Sequence, residues 1–136
     1  MGLFKPVNVA IHEDSRRIIA HFHDSSYPEL IGSNVCGGSL IMVKDSNSVI
    51  GNHYHSKKDE LFYFIEGNGI LRLEDPLTKE KEEVVLSKPI AFIITKGIAH
   101  SFKLKEGSKL IHLALSNEKN YHFRKSEDNI NCNLII

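Results

Sequence analysis

The amino-acid sequence predicts an all-β protein with one domain, closed into a sandwich or barrel. Short apolar runs of about five to eight residues recur along the chain, separated by Gly, Asn, Pro and charged residues. These runs follow one another at intervals of about 8 to 12 residues, which is typical of closed antiparallel folds. The chain has 136 residues, enough for one hydrophobic core but not for a second, nucleotide-binding domain.

The predicted strands lie mainly in the middle of the chain. Polar segments containing Gly, Asn or Pro separate them ("EGNG", "DPLTKEKE" and "KEGSK"), so we expect most connections to be antiparallel hairpins. After the last predicted strand, residues 117–136 form a mostly polar tail. In chain order the strand segments are "RRIIAHF", "GSLIMV", "VIGNHYH", "ELFYFIEG", "GILRLED", "EEVVLS", "IAFIIT", "HSFKLKEG" and "KLIHLALS".

Composition excludes several classes of partner. Lys plus Arg and Asp plus Glu each total 17, so no net charge attracts nucleic acid or an anionic membrane surface. The apolar runs are far shorter than the roughly 20 residues of a membrane-spanning helix, and the first residues lack the pattern of an export signal. Two cysteines, Cys36 and Cys132, are too few for a disulfide framework. We therefore expect a cytoplasmic protein that acts on a small molecule.

The ends of the chain suggest self-association. Residues "GLFKPVNVAI" near the start and "NLII" at the end are strand-like, and such segments can add to the sheet edge of a neighbouring molecule. We therefore expect a homodimer.

The segment "GNHYHSKKDE" contains the first candidate ligands. If "VIGNHYH" is a strand, alternation places His53 and His55 on one face and Tyr54 on the other. In the next run Glu60 shares a face with Phe62, where a buried carboxylate needs a partner or a metal. These residues predict a polar cluster inside the barrel.

A third histidine is expected to reach the same cluster. His100 begins the run "HSFKL", in which its neighbours on the same face, Phe102 and Leu104, are apolar. Three neutral imidazoles and a carboxylate suit a divalent transition metal. We predict one such ion, which could be zinc, iron, manganese, nickel or copper, bound by His53, His55, Glu60 and His100.

The spacing of these residues resembles the motifs of the cupin superfamily. His53, His55, Glu60 and Gly67 fit its first motif, HxH, four residues, Glu, six residues, Gly. Its second motif is matched in part by "TKGIAH", where Thr95 stands at the usual proline. Asn47 and Leu104 also depart from the family pattern. The resemblance covers about residues 35–116 and implies a jelly-roll barrel, the double-stranded β-helix, with the four metal ligands above.

The stretch "GNHYHSKKDELF" resembles two narrower groups of cupins. One is the zinc-binding cupin domain of bifunctional epimerases that act on UDP-linked sugars in capsule synthesis. The other is the sugar-nucleotide ketoisomerases, which share an early element like "DSRR" at Asp14–Arg17. Those ketoisomerases carry glutamine at the position of Glu60 and work without metal, whereas a carboxylate favours a cation. The resemblance implies an isomerase or epimerase of a nucleotide-linked sugar in cell-surface polysaccharide metabolism, with zinc as the first choice of ion and iron, manganese and nickel as alternatives.

The ligand set alone leaves other functions open. The ion could polarise a carbonyl as a Lewis acid, or, if it is iron, support a dioxygenase of a small metabolite. A non-catalytic, sugar-binding cupin is the third alternative, because a fold does not determine a function. Four basic residues are candidates for holding a diphosphate: Arg16, Arg17, Lys57 and Lys58.

Two further residues are candidates for proton transfer. His112 in "KLIHLAL" lies on the face opposite Ile111 and Leu113, where it is a core residue, a residue that contacts the metal ligands, or an acid–base group near the metal. Tyr63 is a candidate proton donor. His21 and His23 also alternate on a predicted strand. However, Pro28 stands where the carboxylate of a matching motif would be, so we do not expect this pair to bind the metal.

Overall fold

The computed structural model describes residues 2–7, 10–21, 35–116 and 129–131. Every regular element in this part of the chain is a β-strand. The strands are β1 (Lys5–Val7), β2 (Ala10–Glu13), β3 (Ile18–His21), β4 (Val35–Met42), β5 (Val49–His55), β6 (Asp59–Glu66), β7 (Gly69–Glu74), β8 (Lys81–Leu86), β9 (Ile90–Ile94), β10 (Ala99–Leu104), β11 (Lys109–Leu115) and β12 (Asn129–Asn131).

Two five-stranded sheets form the body of the structure. Their strand orders are β1-β9-β6-β11-β4 and β12-β5-β10-β7-β8, and β2 and β3 form a separate two-stranded sheet. From β4 to β7 each successive strand changes sheet, and β9, β10 and β11 do so again. This alternation is the double-stranded β-helix of a jelly roll, and it confirms the predicted fold class.

The expectation that most connections are hairpins was wrong. Among the described strands, only β2–β3 and β7–β8 pair with their immediate neighbour in sequence. The segments "EGNG" and "KEGSK" instead carry the chain from one sheet to the other. The physical reason is that successive strands bury their apolar faces against each other across the core rather than side by side. All described pairings are nevertheless antiparallel.

The main core lies between the two sheets. Phe64 and Phe92 from the first sheet and Phe102 from the second are fully buried there, and the rings of Phe62 and Phe92 stack with centroids 5.5 Å apart. Burying each such side chain contributes about 1.5–3 kcal/mol. This tightly packed apolar core lies directly behind the polar cluster and keeps its surroundings rigid.

A second apolar cluster covers the outer face of the first sheet. Its buried members are Val7, Leu61, Ala91, Ile93 and Leu115. It explains why β6 is buried on both faces, with Phe62 and Phe64 in the main core and Leu61 in the outer cluster. The strand that carries Glu60 is therefore held from both sides.

All nine segments predicted as strands form strands. Part of the predicted tail is also a strand, since β12 pairs with β5 and sets Asn131 opposite His53. Near the start of the chain, β1 pairs with β9 of the same chain and forms one edge of its sheet. Within the described residues no helix is long and apolar enough to cross a membrane. Cys132, His23, Pro28 and "NLII" lie outside the described residues.

Candidate metal centre

A β-bulge in β5 aims its two histidines into the barrel. In the pairing with β10, His53 stands opposite His100 and Gly51 opposite Ser101, so Asn52 is an extra residue. Gly51 and Asn52 both have positive φ, 89° and 68°, a conformation that Gly and Asn tolerate best. Ile50 packs against the main core before the bulge. The bulge shifts the alternation by one residue, so His53 and His55 face the same interior.

The glycine of this bulge is required by a close approach. A β-carbon at Gly51 would lie 3.0 Å from the carbonyl oxygen of His100 and 3.1 Å from Cδ2 of its ring. A side chain there would therefore push against the backbone and the imidazole of a candidate ligand. The local sequence Gly-Asn lets β5 and β10 pack closely beside His53 and His100.

The four predicted ligands converge at one place. One ligand atom from each of His53, His55, Glu60 and His100 can be chosen so that all lie within 4.8 Å of one another. His55, Glu60 and His100 are buried, and His53 is half-buried. The ring centroid of His53 is 4.6 Å from that of His55 and 4.7 Å from that of His100. Three strands, β5, β6 and β10, thus contribute to a single cluster.

The two oxygens of the Glu60 carboxylate have different surroundings. Oε1 lies 3.2 Å from Nε2 of His55 and 3.3 Å from Nε2 of His100. Oε2 lies 2.6 Å from Nε2 of His112 and 3.8 Å from Nζ of Lys58. One oxygen therefore faces the ligand nitrogens, and the other faces two residues outside the predicted ligand set.

The electrostatics keep Glu60 ionised and His100 neutral near pH 7. Burial by itself would raise the pKa of Glu60, but His112, His55 and the nearby His100 lower that pKa well below its ordinary value. Burial lowers the pKa of His100 to about 4, against the opposing effect of Glu60. A carboxylate and a neutral imidazole are the forms that bind a metal ion.

The turn after β9 is tied to the ligand strands. The amide of Gly97 donates a hydrogen bond to the carbonyl oxygen of His55 (2.7 Å), and the amide of Lys96 donates to Oδ1 of Asp59 (2.8 Å). His100 follows this turn by three residues. The same hydrogen bonds therefore fix the entry to β10 relative to the end of β5 and the start of β6.

The residues present fit a bound divalent ion. Oε1 of Glu60 is buried and accepts no well-aligned hydrogen bond from the described residues, which is costly for a carboxylate unless a cation takes that position. Three imidazoles and one carboxylate are an ordinary donor set for zinc, iron or manganese. Both observations are what a metal-binding cluster requires.

The remaining candidates fall in different places. His112 is buried and joins the cluster through Glu60. Tyr63 does not join it, because alternation along β6 places Tyr63 against the outer apolar cluster, on the face opposite Glu60. His21 lies in β3, within the separate two-stranded sheet.

Sequence reasoning misplaced one basic residue. Arg16, Arg17 and Lys57 are exposed, as a surface role requires. Lys58 is only 5% exposed and lies beside Oε2 of Glu60, so it was wrongly grouped with surface residues that would grip a diphosphate. The signal that could have found it is its position two residues before a buried carboxylate.

Comparison with family models identifies the chain. Residues 21–130 match the model of the family described as the polysaccharide biosynthesis C-terminal domain. The chain belongs to this family. The matched residues include the four predicted ligands, His112 and Lys58. A comparison with curated protein sequences gave no significant match.

Solved structures share the fold. The chain is similar to WlaRB, a TDP-quinovose 3,4-ketoisomerase from Campylobacter jejuni, with 20% identity, a TM-score of 0.74, and 96% of this chain and 93% of that chain covered. It is similar to a 3,4-ketoisomerase from Helicobacter canadensis, with 19% identity, a TM-score of 0.72, and 93% and 89% covered.

A larger protein contains a similar unit. The capsular polysaccharide assembling protein CapF from Staphylococcus aureus is 19% identical, with a TM-score of 0.58, and the match covers 93% of this chain and 35% of CapF. The cupin fold predicted from the sequence is confirmed by these likenesses.

Proposed function

We propose that this protein is a metal-dependent isomerase or epimerase of a nucleotide-linked keto sugar in cell-surface polysaccharide metabolism. The observation that carries the proposal is the convergence of His53, His55, Glu60 and His100, with one ligand atom from each within 4.8 Å of the others. The family description and the activities named for the ketoisomerases of similar fold support the substrate class.

The chain's own residues would do most of the work of preparing the site. The three imidazoles and Glu60 would hold the ion, and a bound divalent ion supplies Lewis-acid polarisation of a substrate carbonyl. His53 is the least buried ligand, so substrate would enter from its side. The packed phenylalanines behind the cluster, Phe62 and Phe102, exclude water from the opposite side.

The experiment follows solvent deuterium. Isomerisation of a keto sugar breaks the C–H bond at the carbon beside the carbonyl and forms a C–H bond at the former carbonyl carbon, whereas epimerisation breaks and re-forms the bond at one carbon. In both reactions the added proton can come from water. The metal-loaded protein is incubated with TDP- or UDP-linked 4-keto-6-deoxy sugars in heavy water without oxygen. We expect deuterium in the sugar by mass spectrometry and proton NMR, and much slower uptake with the Glu60→Gln protein.

The same experiment separates the alternatives. A dioxygenase would incorporate no deuterium without oxygen and would consume oxygen when loaded with iron. A sugar-binding protein would shift the NMR signals of the ligand with no exchange. Either result, with no keto sugar labelled faster than by the Glu60→Gln protein, would reject the isomerase proposal.

We also propose that two copies of the chain associate through β4. This strand pairs with β11 on one side, and within the described residues no strand pairs with its other side. Its outward side chains include Leu40 and Met42, which are 59% and 60% exposed, beside Ile111 of β11. An exposed apolar edge of this kind favours pairing with another strand.

Light scattering tests this assembly. The unmodified protein should show the mass of two chains at micromolar concentration, and Leu40→Lys should shift it toward the mass of one. The control is Lys44→Glu, at an exposed residue just beyond β4. This variant should leave the dimer intact. A single-chain mass for the unmodified protein contradicts the proposal.

A further inference from the structure

We propose that His112 positions Glu60 for metal binding, because its Nε2 contacts Oε2 and leaves Oε1 as the carboxylate oxygen that faces the nitrogens of His55 and His100. This proposal rests on the metal site of the proposed function. It gives His112 a task other than proton transfer, and it concerns how the cluster is organised rather than which residues belong to it.

The backbone of β11 determines where His112 lies. It comes from β11, which pairs with β6 and sets His112 opposite Phe62. Its ring is buried, and its centroid is 4.9 Å from that of Phe62. The alternation of β11 points His112, Leu110 and Ala114 inward together. A rigid strand and a neighbouring aromatic ring therefore fix the direction of the imidazole.

The contacts of the Glu60 carboxylate are divided between its two oxygens. Nε2 of His112 lies 2.6 Å from Oε2, whereas the nearest ligand nitrogens, on His55 and His100, lie 3.2 and 3.3 Å from Oε1. His112 is outside the group whose ligand atoms lie together. It is thus placed to bind the carboxylate rather than the ion.

A carboxylate needs such a contact to fix its orientation. The terminal torsion of glutamate is broad and does not by itself fix the plane of the carboxylate. An unheld carboxylate could rotate or offer both oxygens to the ion. A partner on Oε2 limits these arrangements before the ion arrives, and such second contacts orient metal ligands in many proteins.

The charges beside Oε2 favour the ionised form of Glu60. Lys58 is buried and its Nζ lies 3.8 Å from Oε2, so a positive group stands on the same side of the carboxylate as His112. A buried anion without a compensating partner is strongly unfavourable. His112 and Lys58 together let Glu60 stay ionised while its other oxygen remains directed at the ligand nitrogens.

The test uses two amides of different length. Glutamine at position 112 can place its amide nitrogen close to where Nε2 of the imidazole stands, but asparagine is one methylene shorter and cannot reach Oε2. We expect His112→Asn to weaken zinc binding about 10- to 100-fold in competition with a chromophoric chelator, and His112→Gln to restore most of the affinity. Circular dichroism confirms that both variants fold.

A spectroscopic readout separates positioning from packing. The visible absorption of the cobalt(II)-loaded protein reports coordination geometry, so it should change in His112→Asn and be nearly unchanged in His112→Gln. Equal zinc affinity and equal spectra for the two variants and the unmodified protein would overturn the proposal. Failure of the unmodified protein to bind zinc or cobalt would instead reject the metal site. Neither measurement uses a substrate, so the outcome is independent of the isomerase assay.

Discussion

The Glu60→Gln protein is expected to lose its metal and keep its fold. Glutamine has nearly the same shape, but a neutral amide is a much weaker ligand for a divalent cation than a carboxylate. Metal content measured by elemental analysis should fall from about one ion per chain to near zero. The circular dichroism spectrum should remain that of a β-protein, because the apolar core between the sheets supplies most of the stability.

Stability measurements on the same variant should show the effect of Lys58. Removing the charge of Glu60 takes away the carboxylate that lies 3.8 Å from the buried amine of Lys58, and losing an opposite charge beside a buried charge is unfavourable. The double change Glu60→Gln with Lys58→Met removes both charges. We therefore expect the double variant to be more stable to urea than Glu60→Gln alone.

A matched control is available at Glu82. Its carboxylate accepts hydrogen bonds from the backbone amides of Leu3 and Phe4, which an amide oxygen can also accept. Glu82→Gln makes the same chemical change outside the ligand set, and it should retain the full metal content. Full metal content in Glu60→Gln, or loss of metal from Glu82→Gln, would contradict the assigned site.

The cluster of candidate ligands could be predicted from the sequence because its geometry depends on the alternation of side chains along each strand. Glu60, Phe62 and Phe64 share a face of β6, and His100 and Phe102 share a face of β10. The same alternation excludes Tyr63 from the cluster, because residues of one strand that are separated by an odd number of positions lie on opposite faces, and Glu60 faces inward. The prediction that the four ligands meet therefore follows from strand periodicity and motif spacing together.

The bulge in β5 was not predicted. An unbroken strand would place Ile50 and His53 on opposite faces, whereas the structure turns both toward the interior. The positive φ angles of Gly51 and Asn52 make this possible. The dipeptide Gly-Asn is a known signal for such geometry, but only the pairing with β10 shows that it is a bulge and not a turn.

Which strands pair, and how deeply a side chain is buried, depend on contacts between residues that are far apart in the sequence. β4 pairs with β11, far along the chain, and the apolar pattern of each strand is compatible with several neighbours. Lys58 is buried because its loop folds toward Glu60 and is held there, in part, by the hydroxyl of Ser116, which donates to the carbonyl oxygen of Lys57 (2.8 Å). The charge of Lys58 can be read from the sequence, but the burial of its side chain cannot.

Gly67→Ala is expected to cost clearly more stability than Gly107→Ala, a substitution at another glycine with positive φ. Gly67 lies in the turn between β6 and β7 with φ of 123°, and a β-carbon there would stand 2.1 Å from Oγ of Ser108. Ser108 is fully buried, and Asn68 donates its amide hydrogen to that hydroxyl. Ser108 therefore cannot move aside without breaking its hydrogen bond with the backbone amide of Asn68, which holds the turn.

The matched control separates steric overlap from backbone strain. Gly107 also has positive φ, 90°, but a β-carbon there would meet nothing within 4 Å. Gly107→Ala should therefore cost about 1–2 kcal/mol, the ordinary cost of a left-handed alanine. Gly67→Ala adds an overlap of a kind that typically costs about 1–3 kcal/mol more. Urea denaturation of the two variants measures the difference, and equal free energies of unfolding would show that the close approach of Gly67 to Ser108 does not constrain this turn.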